Sequence, residues 1–261
     1  MREFWFERGG VRLCAVEDGN GRPIVMLHGG LANHWTSLGL VGSLSPRFRV
    51  VTPDLRGSGK SHDGSPLTWD RLADDVVALM DHIGVDRAVV GGVSSGAGAA
   101  VRFGLRHPRK VAGLVIVTPV YGGDELGLTA EQTAIFRGMD DVGSRAVDEG
   151  VQVLRPLYEN LPPPIRERAL AMVDTFDAPS VAATTHFLAS GAQPFVSTSE
   201  LRGLVSPTLL VPGNDAMHPA EISERYAALI PGCEALPLHR ARAEDDLATA
   251  IGEFCERSAD W

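Results

Sequence analysis

Ser94 lies in the pentapeptide Gly92-Val93-Ser94-Ser95-Gly96, between the apolar run RAVVGGV and a run of small residues, GAGAAV. A serine hydroxyl is a poor nucleophile at neutral pH. It needs an imidazole to take its proton and a carboxylate to fix the tautomer of that imidazole. Asp215 offers the carboxylate, because TLLVPG ends in Gly213-Asn214-Asp215 and so puts an acid at the carboxyl edge of a buried strand. Beyond Asp215 only two histidines follow, His218 and His239. His218 stands three residues on in the same loop, where it could bond locally. His239 follows EALPL and opens into RARAEDD. The chemistry such a set performs is attack on an acyl carbon.

A Gly-x-Ser-x-Gly spacing alone is weak evidence in a chain with 29 glycines, so its weight rests on context. A strand turning directly into a helix forces the serine into strained dihedrals, and only the missing side chains of Gly92 and Gly96 let the two backbones pass. That turn directs the hydroxyl to solvent and aims the first helical N–H groups, beginning with Ser95, at an anion. Two competing readings of the segment are a helix cap at Ser94 and a dinucleotide fingerprint. The second requires Gly-x-Gly-x-x-Gly at the first strand–helix junction, which VVGGVSSGAGAA lacks. His28 reads as a structural histidine bonding nearby backbone. DLRGSGKS, from Asp54 to Ser61, reads as a glycine-rich loop with internal hydrogen bonds, because the Walker spacing is missing. Trp35 is placed either at the floor of a pocket or in packing.

The elements that must position these residues alternate. VRLCAV, PIVMLH, FRVVTPD, RAVVGGV and VAGLVIVTP read as strands too apolar for a half-solvated sheet. TWDRLADDVVALMDHIG reads as a helix with Thr68 as N-cap and a stop at Gly84, with Leu72, Val76, Leu79 and Ile83 on one face. Helix between strands means a parallel crossover. From Gly122 to Ser199 the strands cease, and ELGLTAEQTAIFRGM, SRAVDEGVQVLRPLYENL, PPIRERALAMVDTF and PSVAATTHFLASG predict four helices. Alternation then resumes with SPTLLVPG, AEISERYAALI, CEALPL and EDDLATAIGEFCERS. The expected organisation is a core of residues 1–121 and 200–261 interrupted by a helical cap of residues 122–199.

The 261 residues carry 24 basic and 33 acidic side chains, a net charge of -9 that offers no general attraction for nucleic acid or anionic membrane. Cys14, Cys233 and Cys255 lack the spacing of a disulfide framework or zinc knuckle and fit a reducing compartment. Glu3, Glu7 and Arg8 interrupt any signal-peptide core, so a cytoplasmic location is expected. No metal motif is present, and no cofactor is called for. The expected partner is a small-molecule substrate, with no nucleic acid and no membrane; self-association stays open.

Four stretches, VMLHGGLANHW, VVTPDLRGSGKS, VVGGVSSGAG and PTLLVPGNDAMHP, resemble the α/β-hydrolase superfamily, especially its compact lidded esterases and lactonases. The resemblance covers nearly the whole chain. It implies an α/β-hydrolase fold: a mostly parallel central sheet flanked by helices, with an inserted helical lid. It implies a serine hydrolase with Ser94, Asp215 and His239 as catalytic residues, since the family carries its base after the last strand. Leu238 departs from the small residue usual before that histidine, and the loop after it is short, so His218 stays as the alternative. Two backbone donors, the amides of Gly30 and Ser95, correspond to the family's oxyanion hole. Trp35, Phe136, Tyr158 and Phe187 are the expected substrate contacts, from a cap underside that also draws on Met139, Leu154, Met172, Phe176, His186 and Phe195. Their apolar character favours a small ester, lactone or thioester. Arg137, Arg145 or Arg155 could instead add a carboxylate site. The same scaffold also supports cofactor-free carbon–carbon hydrolysis, lyase, cyclase or perhydrolase chemistry, or ligand binding without catalysis.

Overall fold

A computed structural model describes residues 1–237 and 244–258. The chain opens with a hairpin, β1 (Arg2–Arg8) and β2 (Val11–Asp18), joined at Gly9 and Gly10, whose φ values of 60° and 77° give the turn that matches strand twist. Read only for its charges, REFWFER shows no strand; its alternation and the Gly-Gly turn are the signals that mark one. β3 (Pro23–Leu27), β4 (Arg49–Pro53), β5 (Ala88–Val93), β6 (Val111–Val117), β7 (Thr208–Val211) and β8 (Cys233–Ala235) follow where the apolar runs stand.

These strands form one eight-stranded sheet in the order β1-β2-β4-β3-β5-β6-β7-β8. β2 is antiparallel to both neighbours and the remaining pairings are parallel. The chain leaves β3 toward β4, crosses back, and from β5 onward moves only the other way. The strand order therefore reverses between β3 and β5, and the crevice at their carboxyl ends is where open α/β sheets bind ligands.

Helices cover both faces. α2 (Trp69–His82) and α3 (Ser95–Arg106) bury Leu72, Val76, Leu79, Val101 and Phe103 against one side. α1 (His34–Val41) and the last helix (Glu244–Arg257) bury Val41, Leu247, Ile251 and Phe254 against the other. As the spacing predicts, Thr68 caps α2 by accepting from the Arg71 amide, 3.1 Å away. α7 (Ala220–Leu229) joins β7 to β8. None of the described helices is long and apolar enough to cross a membrane.

Between β6 and β7 stand α4 (Ala130–Glu149), a 3-10 stretch over Val151–Tyr158, α5 (Pro163–Val173) and α6 (Ala178–Ala189). The break predicted near Gly143 does not occur. A methyl on Gly143 would lie 2.1 Å from Thr185 Oγ1, so the glycine lets α6 approach and the helix runs on. It ends at Gly150, φ 87°, and Pro156 keeps the next stretch from forming an α-helix of the predicted length.

Candidate active site

β5 leads straight into α3 through Ser94, whose φ of 56° is a left-handed value that costs a non-glycine residue strain. The neighbours make the turn possible. A methyl on Gly92 would lie 2.1 Å from the Gly96 carbonyl oxygen, and one on Gly96 would lie 2.4 Å from that of His28. The Ser94 amide is held by Val117 O across β6. Its side chain makes no capping bond to α3, so the hydroxyl is left for other work.

β7 lies two strands from β5, about 10 Å away across the sheet, and the loop after it returns toward Ser94. Asp215 folds that loop around its own carboxylate: Oδ1 accepts from the amides of Met217 and His218 at 2.9 and 2.8 Å. His218 Nδ1 lies 2.9 and 3.0 Å from the two carboxylate oxygens, and Nε2 lies 3.0 Å from Ser94 Oγ. An ionised carboxylate only accepts, so Nδ1 carries the proton and Nε2 accepts from the serine hydroxyl. Partial burial alone would raise the Asp215 carboxyl, but the hydrogen bonds from the His218 ring and from the His218 and Met217 amides hold it below the ordinary carboxylate range. Gly213 makes room: a methyl there would stand 2.4 Å from His218 Cβ. A hydroxyl joined to a neutral ring nitrogen, with a carboxylate behind the ring, is the arrangement that activates serine for acyl attack. His239 lies outside the described residues.

The loop after β3 faces this group. Among the described residues, the amides of Gly30 and Ser95 have no acceptor, and a methyl on Gly30 would lie 3.6 Å from Ser95 Oγ, so the two positions adjoin. His28 is buried and structural, as expected. Its Nε2 accepts from the Leu55 amide at 2.9 Å, which requires the proton on Nδ1, donated to Gly29 O at 2.7 Å. Burial keeps this imidazole neutral by lowering its pKa. Asp54 holds the same loops: Oδ1 accepts from the His34 amide and ring, each at 2.8 Å, and Oδ2 from the Lys60 amide.

The inserted helices touch both loops. Tyr158 donates its hydroxyl to Leu31 O at 2.7 Å, Thr184 donates to Gly57 O at 3.0 Å, and Leu188 sits over Gly30. Phe136 and Phe187 are buried in the main core, Phe187 against the Trp69 ring. Leu154 and Phe195 are packed in the interior, and His186 stands exposed on α6. Trp35 is 54% exposed at the start of α1 and is no buried floor. Arg145 is paired with Glu149 and Arg155 with Asp174, both on exposed faces, while Arg137 is exposed on α4. Sequence reasoning missed Gln132, a buried amide in the first turn of α4 whose side chain reaches Met217 O. Its signal is the capping box Thr129-x-x-Gln132.

Residues 22–160 match the family model described as "alpha/beta hydrolase fold". The chain belongs to that family. A sequence bearing the name "Probable proline iminopeptidase" from Streptomyces coelicolor is 31% identical over 172 residues, covering 58% of this chain and 51% of that protein. The chain thus spans about half, or less, of the length of the curated relatives it matches. Among solved structures, a thermophilic esterase from Thermogutta terrifontis superposes with a TM-score of 0.80 at 25% identity, each chain covered fully. Est816, described as an N-acyl homoserine lactone degrading enzyme, gives 0.74 at 25% identity, with 96% of this chain and 99% of that one covered.

Proposed function

We propose that the protein is a serine hydrolase that cleaves a small, largely apolar ester, lactone or thioester through an acyl-enzyme. The observation that carries this is the 3.0 Å contact between His218 Nε2 and Ser94 Oγ, with Asp215 behind the ring. On this reading His218, rather than His239, is the base. His218 takes the hydroxyl proton as Ser94 Oγ bonds to the acyl carbon, and the carbonyl electrons move onto oxygen, facing the amides of Gly30 and Ser95. The imidazolium then protonates the departing alkoxide or thiolate. In the second half His218 takes a proton from water as the water oxygen bonds to the acyl carbon, and the imidazolium returns that proton to Ser94 Oγ as the Oγ–carbon bond breaks and the acid leaves.

The helices between β6 and β7 act as the cap. Leu188, which sits over Gly30, stands for the acyl-side wall, and its apolar side chain suits an uncharged substrate. Tyr158 contributes through its bond to Leu31, beside Gly30, more than through a free hydroxyl. The esterase and lactone-degrading structures support the same bond classes.

A fluorophosphonate should transfer its phosphonyl group to Ser94 Oγ with loss of fluoride, giving the corresponding mass shift. With p-nitrophenyl butyrate, the pre-steady-state acylation burst should vanish in His218→Ala and persist in His239→Ala. A burst lost only in His239→Ala would return the base to the loop before the last helix. An unlabelled Ser94 would end the acyl-enzyme reading.

A further inference from the structure

Gln132 is 0% exposed and uses all its side-chain hydrogen-bonding groups on partners far apart in the chain. Its oxygen accepts from the Thr129 amide at 2.9 Å, while Nε2 donates to Val120 O at 3.0 Å and to Met217 O at 2.9 Å. The Thr129 bond belongs to the cap of α4; the other two do not. Met217 directly precedes His218, so its carbonyl and the His218 amide are the two ends of one planar peptide. Gln132 holds the carbonyl end of that plane, and Asp215 Oδ1 holds its N–H end at 2.8 Å. A plane fixed at both ends places the His218 Cα, and the Asp215 amide, which donates to His218 O at 3.3 Å, restrains the peptide beyond it, so together they set the direction in which the His218 side chain leaves the backbone.

We infer that Gln132 is a positioning residue through which the first cap helix holds His218 in line with Ser94, by the Nε2 bond to Met217 O. This rests on His218 being the base. Because acid and base share one four-residue turn, that turn has to be braced from outside, and α4 supplies the brace. The Val120 bond ties the same amide to the segment leaving β6, so cap, sheet and catalytic loop meet at one side chain. A buried, fully bonded amide is a stiff joint, since freeing any one of its partners leaves a buried polar group unsatisfied.

The test is p-nitrophenyl butyrate kinetics on the full chain, with a second variant of the same helix as reference. Gln132→Met keeps the volume and removes both the donor to Val120 and Met217 and the acceptor for the Thr129 amide. Its kcat and burst rate should fall about tenfold or more, with KM within about twofold, because a misplaced base costs rate and leaves substrate contacts intact. Thr129→Ala removes the hydroxyl that accepts from the Gln132 amide but leaves the Met217 bond, and should keep kcat within about twofold while lowering the melting temperature. If Gln132→Met does not fold, Gln132→Glu, which keeps the size and the acceptor for Thr129 but loses the amide donor, should show the same kcat loss. Equal kcat losses in the Thr129 and Gln132 variants, or wild-type kcat in the latter, would overturn the inference. A burst preserved in His218→Ala would instead remove its premise, and that result is separately visible.

Discussion

Asp215 is the residue on which the candidate site turns, because one carboxylate both shapes the loop and backs the imidazole. Asp215→Asn keeps an oxygen for the amides of Met217 and His218 but offers Nδ1 an amide that can favour the wrong ring tautomer. It also removes the negative charge that stabilises an imidazolium. The acylation rate with p-nitrophenyl butyrate should fall at least about a hundredfold, while circular dichroism stays that of the wild type. A rate within tenfold of wild type would show that the carboxylate has only a loop-building role. Ser94 and Asp215 were legible in sequence because each follows an apolar run that can only be a buried strand. The pairing of Ser94 with His218 was not, because an imidazole three residues from its acid looks like a local contact until the loop's return path is known.

At the scale of elements, the α4–α6 pair shows how a residue type can mislead. Gly143 suggests punctuation, yet it marks the place where two helices come too close for a side chain. Gly143→Ala, which would be mildly favourable in an isolated helix, should here destabilise the protein by about 1–3 kcal/mol in urea unfolding, through overpacking against Thr185. Thr185→Ala in the same chain should recover part of that loss, so the double variant is more stable than the sum of the singles. Strict additivity would mean that the helices do not meet at this pair. The α2 helix, by contrast, was readable residue by residue, from its Thr68 cap to its apolar stripe, because its signals are local.

Across the whole molecule, Arg56 joins parts that no local pattern connects. Its side chain is 1% exposed and makes a two-point bond to Asp75 on α2, a bond to Asp63 and one to Arg8 O on the hairpin. The Asp63 amide in turn donates to Ser180 on α6, so hairpin, core and inserted helices share this network. Arg56→Met should lower stability by about 3–5 kcal/mol, since it leaves the buried Asp75 carboxylate only the longer 3.7 Å pairing with Arg8, and the loss should appear in a single cooperative transition. A change under about 1 kcal/mol would show the network to be dispensable.

Fold class, the strand-to-helix elbow and the acid at the end of β7 were determined by sequence alone, because hydrophobic period, glycine placement and strand ends act over a few residues. The first strand is marked in sequence only by the alternation of REFWFER and the Gly-Gly turn after it, since its four charges leave it no apolar run. Three things were decided by tertiary structure: that His218 meets Ser94, which insertion residues pack inward, and how α4 grips the Met217 carbonyl. The reason is geometric. The order reversal between β3 and β5 brings the Gly30 and Ser94 loops together, and the single strand between β5 and β7 sets the distance over which Asp215 and His218 must reach back. Neither the reversal nor that distance is written in any short stretch of the chain.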